Sequence, residues 1–148
     1  MKCSLWIILF LLLQGMSVRS SADVGEEWSD PVLKIKFQYI GRMSRYLGYR
    51  ACKENGSFWE MVNLKSLGNG VAERMFADKD FKMNLFVTDI DSPDMKMLWV
   101  SNARDSFVGG FHTEYFFVYQ RPDKNIRADF TQDGHTLSLP IICYYHPF

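Results

Sequence analysis

The feature that most constrains this chain is the run from Phe111 to Arg121, read as FHTEYFFVYQR. Aromatic residues dominate it, Gly109 and Gly110 precede it, and Pro122 ends it because proline has no N–H for a sheet ladder. The run predicts a β-strand with apolar residues on both faces, namely Tyr115, Phe117 and Tyr119 on one and Phe116 and Val118 on the other. Such a strand is expected where both of its faces are covered.

Similar short runs recur along the chain at roughly ten-residue spacing, with Gly, Pro, Asn or Asp between them. They predict strands at 32–40, 46–52, 58–64, 71–76, 81–88, 95–101, 111–121, 126–130 and 136–142. No segment shows a sustained helical stripe with caps, and the best helix candidates, 61–67 and 71–78, are short and fit strands about as well. Pro140 indicates an edge or a bulge in the last strand. The sequence therefore predicts an all-β fold, a small antiparallel barrel or sandwich of eight or nine strands in one domain.

The first 22 residues have the pattern of a secretory signal peptide. Lys2 precedes an apolar run at 5–13, and small residues follow, with cleavage expected after Ser20 or Ala22. The alternative is a membrane anchor, but the run is short of the roughly 20 apolar residues that cross a bilayer. We expect residues 23–148 to form a single secreted, extracellular β domain with no transmembrane segment.

Charge and cysteine content limit the classes of function. Residues 23–148 contain 15 basic and 17 acidic side chains. A nucleic-acid binder would carry a stripe of basic residues, which this sequence lacks. Cys52 and Cys143 most economically pair in an oxidising compartment, with two buried free thiols as the alternative. Closing a loop of about 90 residues would stabilise the fold by roughly 4 kcal/mol, and would tie an early strand to the last one.

The side chains that carry chemistry are few. Asn55-Gly56-Ser57 is a glycosylation sequon on an expected hairpin turn. Glu114 lies in the aromatic strand, where it either faces solvent or points inward to pair with a cationic amine. The turn at 89–94 lacks the glycine and distal glutamate of a calcium loop, and the three histidines lack metal-ligand spacing. With no catalytic motif and no cofactor motif, we expect a protein that is not an enzyme.

The chain resembles the lipocalins, particularly the secreted ones of arthropod saliva. A polar lead with a lone Trp28 precedes the first long strand, and Thr113-Glu114-Tyr115 is similar to the T-D-Y motif of that family. The meander also has one long-range disulfide candidate. The resemblance implies a barrel that holds a small hydrophobic molecule. It further implies a pocket lined by Tyr39, Phe86, Trp99, Tyr115, Phe117 and Tyr119.

Two functions follow as hypotheses. The first is a secreted, non-enzymatic carrier or scavenger that binds a small, largely apolar ligand in a cavity, with the pocket residues above and Glu114 as its contacts. The second is a secreted β-sandwich that binds another secreted or cell-surface protein through an exposed aromatic patch. Phe116, Phe86 and the aromatic tail at 144–148 would form this patch.

Overall fold

The structure, a computed structural model, describes residues 24–87 and 95–147. The predicted signal peptide and the acidic turn at 89–94 lie outside the described residues. Eight strands within these ranges form two four-stranded antiparallel sheets, which confirms the all-β prediction. The strands are β1 (Glu27–Ser29), β2 (Lys36–Met43), β3 (Trp59–Met61), β4 (Phe86–Val87), β5 (Met95–Ser106), β6 (His112–Gln120), β7 (Ile126–Thr131) and β8 (Leu139–Tyr145).

The first sheet has the strand order β1-β2-β8-β3, and the second has the order β4-β5-β6-β7. The second sheet is a simple meander in which β5 and β6 are the long central pair. In the first sheet, the pairing of β2 with β8 shifts register between Tyr39 and Gly41, and Gly41 has a φ of 118° that favours glycine. Pro140 pairs with Arg42 beside this irregularity, as its sequence position predicts.

Ser101 joins the two sheets. The register of β5 against β6 shifts between Trp99 and Ala103, so the backbone of Ser101 turns away from β6. Its N–H donates to the carbonyl of Val62, 2.8 Å away, and its carbonyl accepts from the Arg45 guanidinium. The irregular part of β5 therefore hydrogen-bonds to the side of the first sheet rather than to solvent.

Two apolar clusters lie on opposite faces of the central strands. On β8, Ile142 and Tyr144 point into the main cluster, whereas Ile141 and Cys143 point into the second. The same alternation on β5 separates Leu98 and Val100 in the main cluster from Trp99 in the second. These strands are apolar on both faces because each face has its own core.

A helix, α1 (Arg45–Glu54), stands where the sequence predicts a strand at 46–52 and a hairpin turn after it. The Ser44 side chain caps its start by accepting from the Leu47 N–H, and Asn55 ends it with a bond to the Ala51 carbonyl. Only Gly48 and Cys52 are buried along it, a stripe of small residues four positions apart. That stripe is too narrow and too weakly apolar to stand out from the sequence.

The segment 71–85 is also helical, where two strands are predicted. Helix α2 (Val71–Ala77) buries Val71, Ala72, Met75 and Phe76 in the main cluster, and a 3₁₀-helix at Phe81–Leu85 adds Phe81 and Leu85. Buried positions at i, i+1, i+4 and i+5 fit a helical face, but seven residues are too few to separate this period from a strand. These helices cover the main-cluster face of the sheets.

The predicted disulfide between Cys52 and Cys143 is confirmed, with Cα atoms 5.5 Å apart and a sequence separation of 91. It ties α1 to β8, and not an early strand to the last one, because residue 52 is helical. Gly48 lies one turn earlier, and a Cβ there would overlap the Ile141 side chain on β8. The missing side chain and the cross-link together hold α1 close against the sheet.

Candidate functional site

The residues predicted to line one pocket lie in different surroundings. Tyr39 is buried in the main cluster, while Trp99 is buried in the second cluster, where its ring meets that of Phe117 edge-on at 6.1 Å between centroids. Tyr115 also packs against the second cluster, with Gly134 close to its ring and the Arg45 guanidinium 5.3 Å from the ring centroid. The structure therefore brings Trp99, Tyr115 and Phe117 together but places Tyr39 on the opposite face of the sheets.

The two remaining aromatic residues of that set lie near the margins of the second sheet. Phe86 is half-buried on the short strand β4, opposite Lys96, whose ammonium is 5.1 Å from its ring centroid. Tyr119 is half-buried near the end of β6, 6.0 Å from Phe117. Neither residue shares surroundings with Tyr39.

Glu114 forms the polar centre of a different site, at the end of the β5–β6 hairpin. It lies directly opposite Arg104, whose Nη2 and Nε donate to Glu114 Oε2 at 3.0 and 3.3 Å. His112 Nε2 lies 3.7 Å from the other carboxylate oxygen. The Glu114 side chain is only 7% exposed, so it does not face solvent. In the structure, the cation that pairs with Glu114 is the chain's own Arg104.

Opposing effects act on the Glu114 carboxyl. Burial raises its pKa, but hydrogen bonds from Arg104 and Ser106, with the positive charges of Arg104 and His112, outweigh burial and leave the pKa below its ordinary value of 4.5. Glu114 is therefore ionised at neutral pH. Because this buried, ionised carboxylate is paired with Arg104, it favours one arrangement of this part of the hairpin.

Two aromatic rings lie close to the guanidinium of Arg104. Phe116 and Phe130 are directly opposite each other on β6 and β7, and the Arg104 guanidinium carbon lies 5.3 and 4.7 Å from their ring centroids. Both distances are within the range of cation–π attraction. Arg104 nevertheless keeps 55% of its side chain exposed. It is a positioned cation that a binding partner can still reach.

Next to Arg104 the surface forms an open cleft of about 470 Å³, which we call the hairpin cleft. Arg104, Asp105, Ser106, Val108, His112, Glu114, Phe130 and Gln132 line it. The lining combines two basic side chains, two carboxylates and apolar surface. A ligand held here would need both a polar group and an apolar part.

The hairpin ends beyond the cleft in an apolar tip, which we define as Phe107, Val108 and Phe111. These three side chains are 75%, 84% and 70% exposed, and the two phenylalanine rings lie 5.4 Å apart. Gly109 and Gly110 make the turn between them, with φ of 76° and 115°. These three large apolar side chains are not part of either core cluster.

The sequence pattern does not reveal this tip, because it predicts strands at 95–101 and 111–121 and leaves 102–110 as the loop between them. The structure extends β5 to Ser106, so the polar residues belong to a strand and only the turn itself is apolar. The available signal is Phe-Val-Gly-Gly-Phe at 107–111, which places apolar residues on both sides of a glycine turn. Turns are usually polar, so this pattern marks an unusual one.

The aromatic patch predicted for a protein partner is only partly exposed. Phe116 packs against the main cluster, and Tyr144 is buried there because β8 continues to Tyr145. Tyr145 is exposed and meets the rings of Phe58 and Trp59 edge-on. Phe148 lies outside the described residues. The largest exposure of apolar side chains is instead at the tip.

The sequon residue Asn55 is exposed at the end of α1, not on a hairpin, and its side-chain Nδ2 donates to the side-chain Oε1 of Gln38 at 2.6 Å. Within 24–87 and 95–147, no three His, Cys, Asp or Glu residues are placed to hold a metal ion. The helices of these ranges are also too short or too polar to cross a membrane.

Comparisons with known protein families, with curated proteins and with solved structures find no match to this chain. The resemblance to the lipocalins stays a prediction.

Proposed function

We propose that this protein is a secreted, non-enzymatic binding domain that docks its apolar tip into an apolar pocket of a partner protein. One observation carries the proposal: the three tip side chains are 70% to 84% exposed on a projecting turn. Solvated apolar side chains grouped in this way mark interaction sites, since they contribute nothing to folding. The tip is convex, so its partner must be concave.

The residues behind the tip fit a protein interface. Aromatic residues and arginine are the types that dominate the binding energy of interfaces, and here Arg104 is fixed beside Phe130 and still exposed. Its guanidinium is available for an acidic side chain of the partner, while the tip fills the pocket. Arg104 is already held by Glu114, so little side-chain freedom is lost on binding.

Electrostatics favour a protein over a lipid surface. Membrane-surface binding usually combines apolar insertion with a cluster of basic residues that attract anionic lipids. Around this tip, Arg104 and His112 are balanced by Asp105 and Glu114. Residues 23–148 carry 15 basic and 17 acidic side chains, a formal net charge of −2. This balance of charges favours a protein partner, and the experiment includes lipid vesicles as the alternative partner.

The test compares the wild type with the double variant Phe107→Ser and Phe111→Ser. The immobilised proteins are exposed to extracellular fluid of the source organism, and retained proteins are identified and then titrated in purified form. We expect the double variant to bind at least about 100-fold more weakly, because each buried phenylalanine contributes about 2 kcal/mol. Phe58→Ser is the matched control, since Phe58 is also exposed but lies away from the tip.

The result that would overturn the proposal is equal binding by wild type and double variant. A second arm mixes each protein with vesicles of phosphatidylcholine and phosphatidylserine. Flotation that depends on Phe107 and Phe111 would assign the tip to a lipid surface instead.

The hairpin cleft favours a second candidate function, the carrier of a small amphipathic ligand. Its volume of about 470 Å³ is within the range of ligand sites, and Arg104 beside Phe130 offers a cation next to apolar surface. Native mass spectrometry of the protein from eukaryotic cells tests it. A small molecule retained by the wild type and lost from Arg104→Ala supports the carrier. A mass that stays free of ligand after exposure to fatty acids and amines rejects it.

A further inference from the structure

The free edge of β7 (Ile126–Thr131) is a second candidate surface, which contains none of the three tip residues and shares Phe130 with the hairpin cleft. β7 is the last strand of the second sheet, and within the described ranges only β6 pairs with it. Arg127, Ala128 and Asp129 are exposed in the middle of the strand. An unpaired edge of six residues is a template on which another strand can pair.

The register shows which backbone groups of β7 face outward. At the hairpin end, the Arg121 N–H donates to the Asn125 carbonyl at 2.8 Å, so Asn125 points its carbonyl towards β6. Along an antiparallel strand, successive residues direct their backbone groups to alternate neighbours. Arg127 and Asp129 therefore bond to β6, where they lie opposite Tyr119 and Phe117.

The backbone groups that point away from β6 are consequently those of Ile126, Ala128 and Phe130. The outward Phe130 N–H donates to the Asp129 carboxylate at 2.8 Å. This local hydrogen bond takes the place of one to a neighbouring strand. The spacing of these outward groups is that of a strand ready to accept a partner.

The side chains of this edge are symmetric about Ala128. In the order Ile126-Arg127-Ala128-Asp129-Phe130, an apolar residue stands at each end and opposite charges flank the centre. Two antiparallel copies centred on Ala128 would place Arg127 of each opposite Asp129 of the other. Each Ile126 would face Phe130 of the other copy. The outward backbone groups would then form about six hydrogen bonds, two for each of the three residue pairs.

From this symmetry we infer that the β7 edge pairs with the β7 edge of a second copy of this chain. The resulting dimer has a two-fold axis at Ala128, and its two second sheets form one continuous sheet. Charges that protect an edge from association do so by repulsion between like charges. Here self-pairing instead brings unlike charges together at non-hydrogen-bonded positions, where side chains are closest.

The dimer is weak because one strand pair buries little area. Phe130 is 45% exposed and Ile126 is half-buried, so they add a modest apolar contribution. Interfaces that bury little area are typical of weak or transient complexes. The dimer is therefore sought over a wide range of protein concentration.

Sedimentation velocity of the full chain, from about 5 µM to about 500 µM, measures the association. We expect the mean mass of the wild type to rise towards twice the monomer mass. Ala128→Pro should keep it at the monomer mass, because proline removes an outward N–H and leaves the bonds to β6 intact. Arg127→Asp and Asp129→Arg should each remain monomeric, since each places like charges opposite one another.

A mixture of the two charge variants provides the decisive arm. Arg127→Asp has two acidic side chains on its edge and Asp129→Arg has two basic ones, so an equimolar mixture should form a heterodimer. Lys79→Asp, an exposed substitution away from β7 with the same charge change as Arg127→Asp, should associate like the wild type. A wild type that stays monomeric at the highest concentration overturns the inference. So does a dimer that Ala128→Pro leaves unchanged, or a mixture that stays monomeric.

Discussion

The β5–β6 hairpin carries aromatic side chains at two places with opposite surroundings. Near its base, Trp99 and Phe117 lie in the second cluster with the disulfide. At its far end, Phe107 and Phe111 are exposed. The residue types are similar, but only the base is covered by β8 and α1. The base of the hairpin therefore contributes to stability, whereas its end is exposed to solvent.

Removal of the Trp99 side chain is expected to have the largest effect. Trp99→Ala should lower the free energy of unfolding by about 5 kcal/mol, since a fully buried indole leaves a large cavity. Phe111→Ala at the tip should change it by less than about 0.5 kcal/mol. Urea denaturation measures both, and similar losses for the two variants would remove the distinction between base and tip.

Loss of the disulfide should come next. The double variant Cys52→Ala and Cys143→Ala should lose about 4 kcal/mol, because the bridge restricts a loop of 91 residues in the unfolded chain. Thermal denaturation with and without reductant measures the effect. Reductant should lower the midpoint of the wild type to that of the variant and leave the variant unchanged. An unaffected wild type would contradict the stabilising role of the bridge.

The close approach of α1 to β8 predicts a smaller loss. Gly48→Ala should destabilise the protein by about 2 kcal/mol, because its Cβ would overlap the buried Ile141 side chain and the gain in helix propensity is smaller. Leu47→Ala, on the exposed side of the same helix, is the control and should cost less than about 1 kcal/mol. Chemical denaturation compares the two. A Gly48→Ala variant more stable than the wild type would show that α1 can move outward.

Acid should weaken the hairpin end through Glu114. Its pKa is lower in the folded protein than in the unfolded chain, so its contribution is complete above the ordinary value of 4.5 and is lost as the pH falls through the folded pKa. Glu114→Gln should therefore lose less stability than the wild type between pH 7 and pH 2. Thermal midpoints across this range measure the difference. Parallel acid curves for the two proteins would exclude the Arg104–Glu114 pair as a contributor.

The smallest effect on stability is expected at the tip itself. Phe107→Ser together with Phe111→Ser should shift the free energy of unfolding by less than about 0.5 kcal/mol, because both side chains are already solvated. Urea denaturation measures it beside the binding assay. A large loss of stability would mean that the tip packs on the domain, and its exposure would no longer support recognition.

The strands β2, β5, β6 and β7 are the part of this fold that the sequence predicts well. Each of them overlaps a predicted strand, and the pairing of Cys52 with Cys143 is the one expected of a secreted chain. Helix α1 is missed because its buried stripe consists of Gly48 and Cys52, and because Asn55-Gly56 also fits a hairpin turn. Small side chains have little apolar signal even where a close helix–sheet contact depends on them.

The site is harder to predict than the fold. Alternation correctly places Glu114 with Phe116 on one face, but the partner of this carboxylate, Arg104, lies on another strand and depends on the β5–β6 register. The register shift between Trp99 and Ala103 cannot be read from the sequence. The tip depends on the same register, because the register decides how far β5 extends before the turn.

The disulfide also determines what a protease would do to this protein. Among the residues that the structure describes, the aromatic side chains most accessible to a chymotrypsin-like enzyme are Phe107 and Phe111, both within the loop that Cys52 and Cys143 close. A cut there would divide the chain into two pieces that the bridge keeps covalently joined. The cleaved protein would migrate as one species until it is reduced, while the turn that presents the tip would already be broken.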